Sequence, residues 1–449
     1  MVKDKLFYRT LLAIAIPTAL QGLVSLSVNM LDNIMVGSLG DVSLASVSLA
    51  NQITVMLSYF VKGVSGGAAA LVAQYWGKKD IPHVKQVFSV AFQICFYITA
   101  LLCAVLWLFP RHAMQIFSSD PAVLEIGAQY VRILCFSYLF SCVSELLIMM
   151  LRCVEVVRIG LVVSGVSLFS NLFFNYALIF GHFGFPRLET RGAALATTLS
   201  RFIELLIVLF YVFRVDRRLR LRVRELWCAD RKMVRDYLHY GLPVMLGDVQ
   251  WGFVGFLKNA MIGHMGVLMT ASNSIAETVF SLFYVFITGL SSGACVLVGK
   301  LVGEGEHGKV REASGTIQIL FIGTGLVVCA AMFFSSPFIP LLYGISAEAR
   351  ALSSQFIAMN AFMSIGTCYH AACFTGINRG AGDGLFVMKV DMICGWLVVL
   401  PLVFLSGFVL HAPLPAVYVC TRIDQCFKWL IAFIRLRGNR WIHDVTRAG

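Results

Sequence analysis

Charged residues are scarce in this 449-residue chain, at 13% of all positions, whereas soluble domains carry about 25%. Hydrophobic residues make up 59% of the chain, and the mean hydropathy is +0.81. So little charge excludes a water-soluble globule, and so much apolar content excludes a disordered chain or a fibrous repeat. The composition therefore predicts a polytopic membrane protein.

Alternating segments of about ten residues, which are typical of membrane β-barrels, are also lacking. The chain instead contains long windows without Lys, Arg, Asp or Glu, and a membrane-crossing helix needs about 20 apolar residues. These windows are 10–31, 42–61, 86–110, 159–186, 259–276, 278–299, 313–347, 351–378 and 392–421. Three further spans with internal charge are expected near 123–150, 191–213 and 236–262. The last window is divided near its prolines and continues into 416–434, so twelve helices is the favoured count.

The first apolar stretch continues past the 7–15 residues of a signal-peptide core, so no cleavable signal peptide is predicted. It is interpreted as the first membrane helix. The 13 cysteines are scattered through the chain without a CxxC pair. This pattern favours buried, reduced thiols over disulfides or metal ligands.

Basic residues in the loops are distributed unevenly between the two sides of the predicted membrane. Only Arg111, Arg187, Arg191 and Arg350 fall on one side, and nearly all others lie on the side of the N-terminus. Because Lys and Arg mark cytoplasmic loops, both termini are predicted to be cytoplasmic. The net charge of +12 is thus explained by topology, and nucleic acid is not expected as a partner.

The two halves of the chain resemble each other at an offset of 226 positions. Pro17 then aligns with Pro243, and Met-Val-Gly at 35–37 aligns with Met-Ile-Gly at 261–263. Weak internal symmetry of this kind is common in secondary transporters. The repeat therefore favours a transporter over non-transport functions.

The predicted fold is an all-α polytopic membrane protein with twelve transmembrane helices. They would form two six-helix bundles related by a pseudo-two-fold axis along the membrane normal. The predicted boundaries are 1–213 for the N-terminal bundle, 214–235 for a basic cytoplasmic linker and 236–449 for the C-terminal bundle.

Four segments resemble signatures of the multidrug and toxic compound extrusion (MATE) family. They are LDNIMVGSLG at 31–40, LVAQYWGKKD at 71–80, NLFFNYALIFG at 171–181 followed by GAALAT at 192–197, and RGAGD at 379–383 followed by Trp396 and Pro401. The resemblance runs from about residue 12 to residue 434. It implies an antiporter that exports organic, often cationic, compounds in exchange for Na+ or H+, with no other cofactor.

The resemblance also implies a bacterial inner-membrane protein, and a monomer is expected. Two other functions remain open. A lipid-linked saccharide flippase of related architecture would use a cationic cavity, for which Arg132, Arg201 and Lys258 are available. A receptor or intramembrane enzyme is the weakest alternative, because HExxH, GxSxG and paired intramembrane aspartates of the needed kind are missing, and no enzymatic activity is predicted.

Four polar residues are predicted to meet in the outer half of the first bundle, from the rise of 1.5 Å per helical residue. They are Asp32, Asn171, Asn175 and Thr197, and the i, i+4 spacing of the asparagines puts both on one helix face. Their oxygens suit a hard cation or a hydrogen-bonded proton. The resemblance implies that Asp32 and Asn171 belong to a cation or proton site. Part of the family has Asp in place of Asn175, so this chain keeps one carboxylate, which favours H+ over Na+.

The second half offers Asp248 and Glu277 as candidates for binding substrate or a second cation. In the sodium-coupled branch of the family, a Glu occupies the position of Trp251, and Asp248 lies near the same helix face. Lys258 occupies the repeat position of Asp32, so the halves differ in charge. It is expected to neutralise Asp248 or Glu277. For each carboxylate, a purely structural hydrogen bond or ion pair remains the alternative.

Other ionisable residues in the predicted helices have structural interpretations. Arg201 and Glu204 are spaced i, i+3 and are predicted to form an ion pair. Glu145 and Lys62 lie near cytoplasmic helix ends, where gating or helix-end packing is favoured over ligand binding.

Overall fold

The computed structural model describes residues 2–118, 120–438 and 440–447, leaving aside the side chain of Asp41. In these ranges the chain is almost entirely helical and contains no β-strand. Twelve long helical segments follow one another. They are α1 (Lys5–Gly37), α2 (Asp41–Gly77), α3 (Ile81–Leu108), α4 (Pro121–Cys153), α5 (Arg158–Phe180), α6 (Glu189–Phe210), α7 (Leu242–His264), α8 (Val267–Gly303), α9 (His307–Ser335), α10 (Ala347–Ala371), α11 (Gly384–Val409) and α12, which comprises Leu414–Cys420 and Lys428–Arg437.

Several helices contain or adjoin irregular turns. π-helical turns extend α10 over Ala372–Asn378 and interrupt α11 at two places, and a 3-10 turn at Ile423–Cys426 divides α12. Such turns widen or tighten the backbone and often mark functional positions. The remaining short helical elements are Pro110–Gln115, Tyr211–Val215, Val223–Trp227, Arg231–Asp236, Tyr237–Gly241 and Ile339–Leu342.

Nine of the described helices are long and apolar enough to cross a membrane, namely α1–α6, α8, α9 and α11. The other three, α7, α10 and α12, carry more polar or charged residues, including Asp248 in α7 and Lys428 in α12. The prediction of an all-α chain with twelve long helices is confirmed. Length and composition alone detect fewer spans, because α12 is divided into helices of 7 and 10 residues and polar or charged residues lower the mean hydropathy of α7 and α10.

The chain divides into two compact units. The N unit comprises Leu20–Ala68 and Asp80–Leu238, and the C unit comprises Met1–Ala19, Ala69–Lys79 and His239–Gly449. The end segments of α1 and α2 thus group with residues from the second half. The division into bundles at 1–213 and 236–449 follows the sequence repeat and stays a prediction.

In the N unit, α5 packs along α6, and α4 packs against both α3 and α6. Helix starts here are fixed by their caps. The Asp80 side chain accepts a hydrogen bond from the His83 N–H at 3.2 Å, and the Asp120 side chain accepts one from Ala122 N–H at 2.9 Å. Both helices also have a proline in the first turn, where its missing N–H costs nothing. These helices hold the polar residues of α5 and α6 in a fixed register.

In the C unit, α10 packs against α8 and α9, and α7 packs against α11. The end of α2 meets the end of α8 through two glycines. A Cβ on Gly303 would lie 1.9 Å from the Gln74 carbonyl oxygen, and a Cβ on Gly77 would lie 2.2 Å from that of Lys300. Any larger side chain would therefore force these two backbones apart.

The carboxy-terminal tail, residues 441–447, folds back onto α2 within the C unit. Gln74 is fully buried, and its Nε2 donates hydrogen bonds to the carbonyls of Gly380 at 3.1 Å and His443 at 3.2 Å. Its Oε1 accepts the Val445 N–H at 2.9 Å. Trp441 is buried at the start of the tail. One amide side chain thus joins α2, the turn after α10 and the tail.

Candidate functional site

The four residues predicted for the coupling cluster lie together in the N unit. Asn175 Nδ2 donates a short hydrogen bond to Asp32 Oδ1, and a second one to Asn171 Oδ1 at 3.0 Å. The side chains of Asn171 and Thr197 also interact with the Asp32 carboxylate. The i, i+4 spacing on α5 brings both asparagines to the same face. The carboxylate at the end of α1 is therefore surrounded by amides and a hydroxyl.

The two asparagines are buried, and Asp32 and Thr197 are half-buried. Asn175 Oδ1 and Asn171 Nδ2 are buried without a hydrogen-bond partner among the described residues. If both amides were reversed, Asn171 Nδ2 would donate to Asn175 Oδ1, which would also face Asp32. A neutral carboxyl group donates a hydrogen bond and an amide oxygen accepts one. The same side chains thus satisfy Asp32 with or without its proton.

An ion pair lies beside this cluster. Arg201 Nη1 is 2.8 Å from Glu204 Oε2, which confirms the predicted i, i+3 pair. Arg201 also acts electrostatically on Asp32 and Glu145, and the Tyr130 hydroxyl lies within electrostatic range of Asp32. Arg201 lies one turn after Thr197 on α6, so helical spacing could have predicted its place beside the cluster. The interpretation of Arg201 as a local partner of Glu204 missed this position.

Asp248 forms a two-point ion pair in the C unit. Its carboxylate oxygens lie 2.6 Å and 3.0 Å from the guanidinium nitrogens of Arg379. Two parallel hydrogen bonds of this kind fix both side chains firmly. Asp248 is thus already neutralised by Arg379 rather than by Lys258, and the geometry fits its structural alternative.

Glu277 lies between two cations. Its Oε1 is 3.4 Å from Lys258 Nζ, and its Oε2 is 2.6 Å from Arg422 Nη2. Of the two partners considered for Lys258, the structure selects Glu277. Arg422, in the turn that divides α12, was not anticipated as its second partner. Glu277 is therefore part of a cationic cluster rather than an isolated acid.

A third group of charges is deeply buried in the C unit. Lys428 Nζ lies 2.9 Å from both Asp391 and Asp424 carboxylates, and 4.2 Å from the ring centroid of Trp251. Trp251 occupies the position where the sodium-coupled branch of the family carries a Glu. Its ring lies beneath the Lys428 ammonium group. This arrangement opposes the binding of another cation there.

Helical spans, two compact units and charged groups held inside the spans together define an integral membrane protein of the transporter class. The family model MatE matches residues 17–177 and 243–405. The two matched segments begin 226 positions apart, which is the offset of the internal repeat. The chain therefore belongs to the MATE family. Its members are transporters and not enzymes, so the predicted absence of enzymatic activity agrees with the family.

Relatives of known description match over almost the whole chain. The probable multidrug resistance protein NorM of Rhizobium meliloti (strain 1021) is 26% identical over 419 residues, which cover 91% of this chain and 87% of the relative. The multidrug resistance protein MdtK of Yersinia enterocolitica is 24% identical over 407 residues, which cover 89% and 87%. These matches agree with the predicted family.

Solved structures show the same fold. A crystal structure of MATE in complex with MaL6 has a TM-score of 0.86 at 18% identity and covers 95% of both chains. An outward-facing multidrug resistance MATE family transporter of the MOP superfamily also has a TM-score of 0.86 at 18% identity, covering 95% of this chain and 94% of that one. The predicted fold class is confirmed by these likenesses.

Proposed function

We propose that this protein is a secondary active antiporter. It exports organic, mainly cationic compounds from the cytoplasm in exchange for H+, by alternating access in the bacterial inner membrane. The multidrug resistance descriptions of its relatives support the substrate class. The basic loops support cytoplasmic termini.

The observation that carries the proposal is the environment of Asp32. Its carboxylate is bonded by amides and a hydroxyl, and no cation lies within ion-pair distance among the described residues. Proton uptake therefore breaks no ion pair, and the adjacent amides can serve either protonation state. A carboxylate inside a spanning helix is a functional candidate by default, because its charge is costly there. Asp32 is thus the group suited to bind and release a proton during the cycle.

The same geometry favours H+ over Na+. A hard cation needs several oxygen ligands and is held more tightly where more of them are carboxylates. The cluster contains one carboxylate, since position 175 is Asn. Na+ would therefore meet only a single negative charge, even with the amide oxygens turned towards it. Asn171 and Thr197 position Asp32 in this scheme.

Coupling follows from differential binding to two conformations. In the outward-open state, Asp32 takes up a proton and loses its attraction for a cationic substrate. This favours the return to the inward-open state, where proton release restores the charge and a substrate binds. The ion gradient acts through these affinities and not through a direct push.

A lipid-linked saccharide flippase would need free basic groups for a pyrophosphate. Arg132 lies over the Trp107 ring at 5.0 Å, and Arg201 is paired with Glu204. Lys258 is shared with Glu277. All three basic residues considered for that function therefore already have a partner in the protein, and of the three only Lys258 belongs to a cluster with two cations on one carboxylate.

The test is exchange in proteoliposomes that contain the purified full-length protein. A fluorescent planar cation is loaded, and a pH gradient and then a Na+ gradient are imposed. We expect the pH gradient to drive dye movement and Asp32→Asn to abolish it. Asp230→Asn, which makes the same change at an exposed position in the central loop, is the matched control and should leave exchange intact.

Each outcome is decisive for the coupling scheme. Movement driven only by Na+ would overturn proton coupling. Unchanged exchange in Asp32→Asn would remove Asp32 from the mechanism. Absence of dye movement under both gradients, together with movement of a lipid-linked saccharide without a gradient, would establish the flippase instead.

A further inference from the structure

Two cations share one carboxylate at the C-unit cluster formed by Lys258, Glu277 and Arg422. Both contacts are made to Glu277, at 3.4 Å from Lys258 and 2.6 Å from Arg422. The cluster therefore carries one excess positive charge. In a fully buried cluster, an excess positive charge needs a counter-charge within the protein. A cluster that is open to water can instead bind an anion from solution.

This cluster is open on one side. The side chains of Glu277, Lys258 and Arg422 are 32%, 16% and 9% exposed. Charged groups at lipid depth avoid the hydrocarbon because exposure there costs several kcal/mol. The exposed part of the cluster must therefore face water or a polar ligand.

The charge that balances this excess lies deeper in the unit. Lys428 is 2% exposed and is held between Asp391 and Asp424, so that trio carries one excess negative charge. Asp424 is two positions from Arg422 and acts on it electrostatically, so the buried anionic trio adjoins the cationic cluster. Glu277 is the most exposed of the three side chains of the cluster, so a ligand from water reaches Lys258 and Arg422 beside its carboxylate.

Aromatic rings extend from the open end along α8. The Arg422 guanidinium lies 4.1 Å from the Phe280 ring centroid, and Phe280 stacks on Tyr284 at 5.2 Å. Tyr284 is exposed. Arg422 Nε is buried without a hydrogen-bond partner among the described residues. The cluster therefore combines a guanidinium group that has an unpartnered N–H with a flat aromatic surface.

We propose that Lys258 and Arg422 form a binding subsite for the anionic group of a planar organic compound. A carboxylate is the group that best fits an ammonium and a guanidinium side by side. Glu277 is the internal counter-ion that holds both cations while the subsite is empty. The proposal rests on the proposed transport function and refines its substrate class, since Lys258 occupies the repeat position of Asp32 with the opposite charge.

The test measures equilibrium binding of two dyes to the full-length protein in phosphatidylcholine nanodiscs. One dye is a rhodamine with a free carboxylate, and the other is its methyl ester, which has the same aromatic body. We expect Lys258→Gln to weaken binding of the carboxylate dye about tenfold, the factor that corresponds to about 1.4 kcal/mol. Binding of the ester should change by less than about twofold, since it offers no anion to Lys258.

A second variant separates this function from a structural one. Glu277→Gln removes the internal counter-ion, so binding of the carboxylate dye should become severalfold tighter, an improvement that loss of structure does not produce. Lys309→Gln, at an exposed lysine of α9, is the matched control and should bind both dyes like the wild type. An equal loss of both dyes in Lys258→Gln, or a loss of the carboxylate dye in Glu277→Gln, would overturn the proposal.

Two further arms identify the source of the anion and separate the two proposals. If anionic phosphatidylglycerol in the nanodiscs competes with the carboxylate dye in the wild type but not in Lys258→Gln, a lipid headgroup is the natural occupant. If it does not compete, the occupant is a soluble compound.

Binding needs no ion gradient, so dye discrimination without gradient-driven transport would contradict only the antiport function. Transport of both dyes with equal affinity would contradict only the anionic subsite.

Discussion

The two units hold their candidate carboxylates, Asp32 in the N unit and Asp248 and Glu277 in the C unit, in opposite ways. In the N unit, Asp32 is bonded by the Asn175 amide and accompanied by Asn171 and Thr197. In the C unit, Asp248 and Glu277 each have a cation at 2.6 Å. The two units therefore differ in the groups that bond these carboxylates, which are amides in the N unit and cations in the C unit.

This difference has consequences for titration. When Asp32 accepts a proton, the surrounding amides only exchange donor and acceptor roles. When a carboxylate of the C unit accepts a proton, a buried cation loses its partner, which is strongly unfavourable. The N unit is therefore suited to change its charge during a cycle, and the C unit is suited to keep its charges fixed.

The largest effect is expected from breaking the fixed charges of the C unit. Lys428→Met would leave Asp391 and Asp424 buried together without their common cation, which should cost about 3–5 kcal/mol. The measurement is the thermal midpoint of the purified protein in detergent. Lys428→Met combined with Asp391→Leu should recover part of the loss. A single variant as stable as the wild type would show that the C-unit charges are not held by pairing.

The next prediction concerns the ion response of the N-unit cluster. Asn175→Asp would place a second carboxylate beside Asp32 and make the N-unit cluster a better Na+ site. We expect a Na+ gradient at equal pH to drive exchange about tenfold faster than in the wild type, which corresponds to about 1.4 kcal/mol. Asn33→Asp adds the same charge at the exposed neighbouring position and should not respond. Equal Na+ responses in both variants would contradict the assigned role of position 175.

The smallest effect is expected where an ion pair lies in water. Lys78 and Asp444 are 3.0 Å apart, and their side chains are 30% and 44% exposed. Exposed pairs contribute about 0–1 kcal/mol, so Lys78→Gln should shift the thermal midpoint far less than Lys428→Met. A shift comparable to that of Lys428→Met would mean that burial does not decide the strength of these pairs.

The sequence allowed much of the N-unit cluster to be predicted. Asn171 and Asn175 share a helix face by their spacing, and Arg201 pairs with Glu204 one turn away. Such relations are local, so helical periodicity is sufficient to find them. Helix lengths and the family resemblance allowed Asp32 to be predicted beside them.

The C-unit pairs could not be predicted in the same way. Asp248 and Arg379 are 131 positions apart, and Lys428 and Asp391 are 37 apart. Periodicity within a helix carries no information about which distant helix supplies a partner. The same limit applies to α7, because Asp248 and Lys258 lower its hydropathy although both are paired in the fold.

The order of synthesis gives the tail contact on Gln74 a further meaning. The buried Gln74 side chain emerges from the ribosome 371 residues before Val445, whose N–H it accepts. A buried amide without its partners is unfavourable, so the α2 end of the C unit cannot be completed until residues 443–445 are made. Although domains usually fold as units during synthesis, neither half of this chain, cut at its basic central loop, contains a complete C unit. The boundary of the sequence repeat therefore does not coincide with the boundary of the C unit.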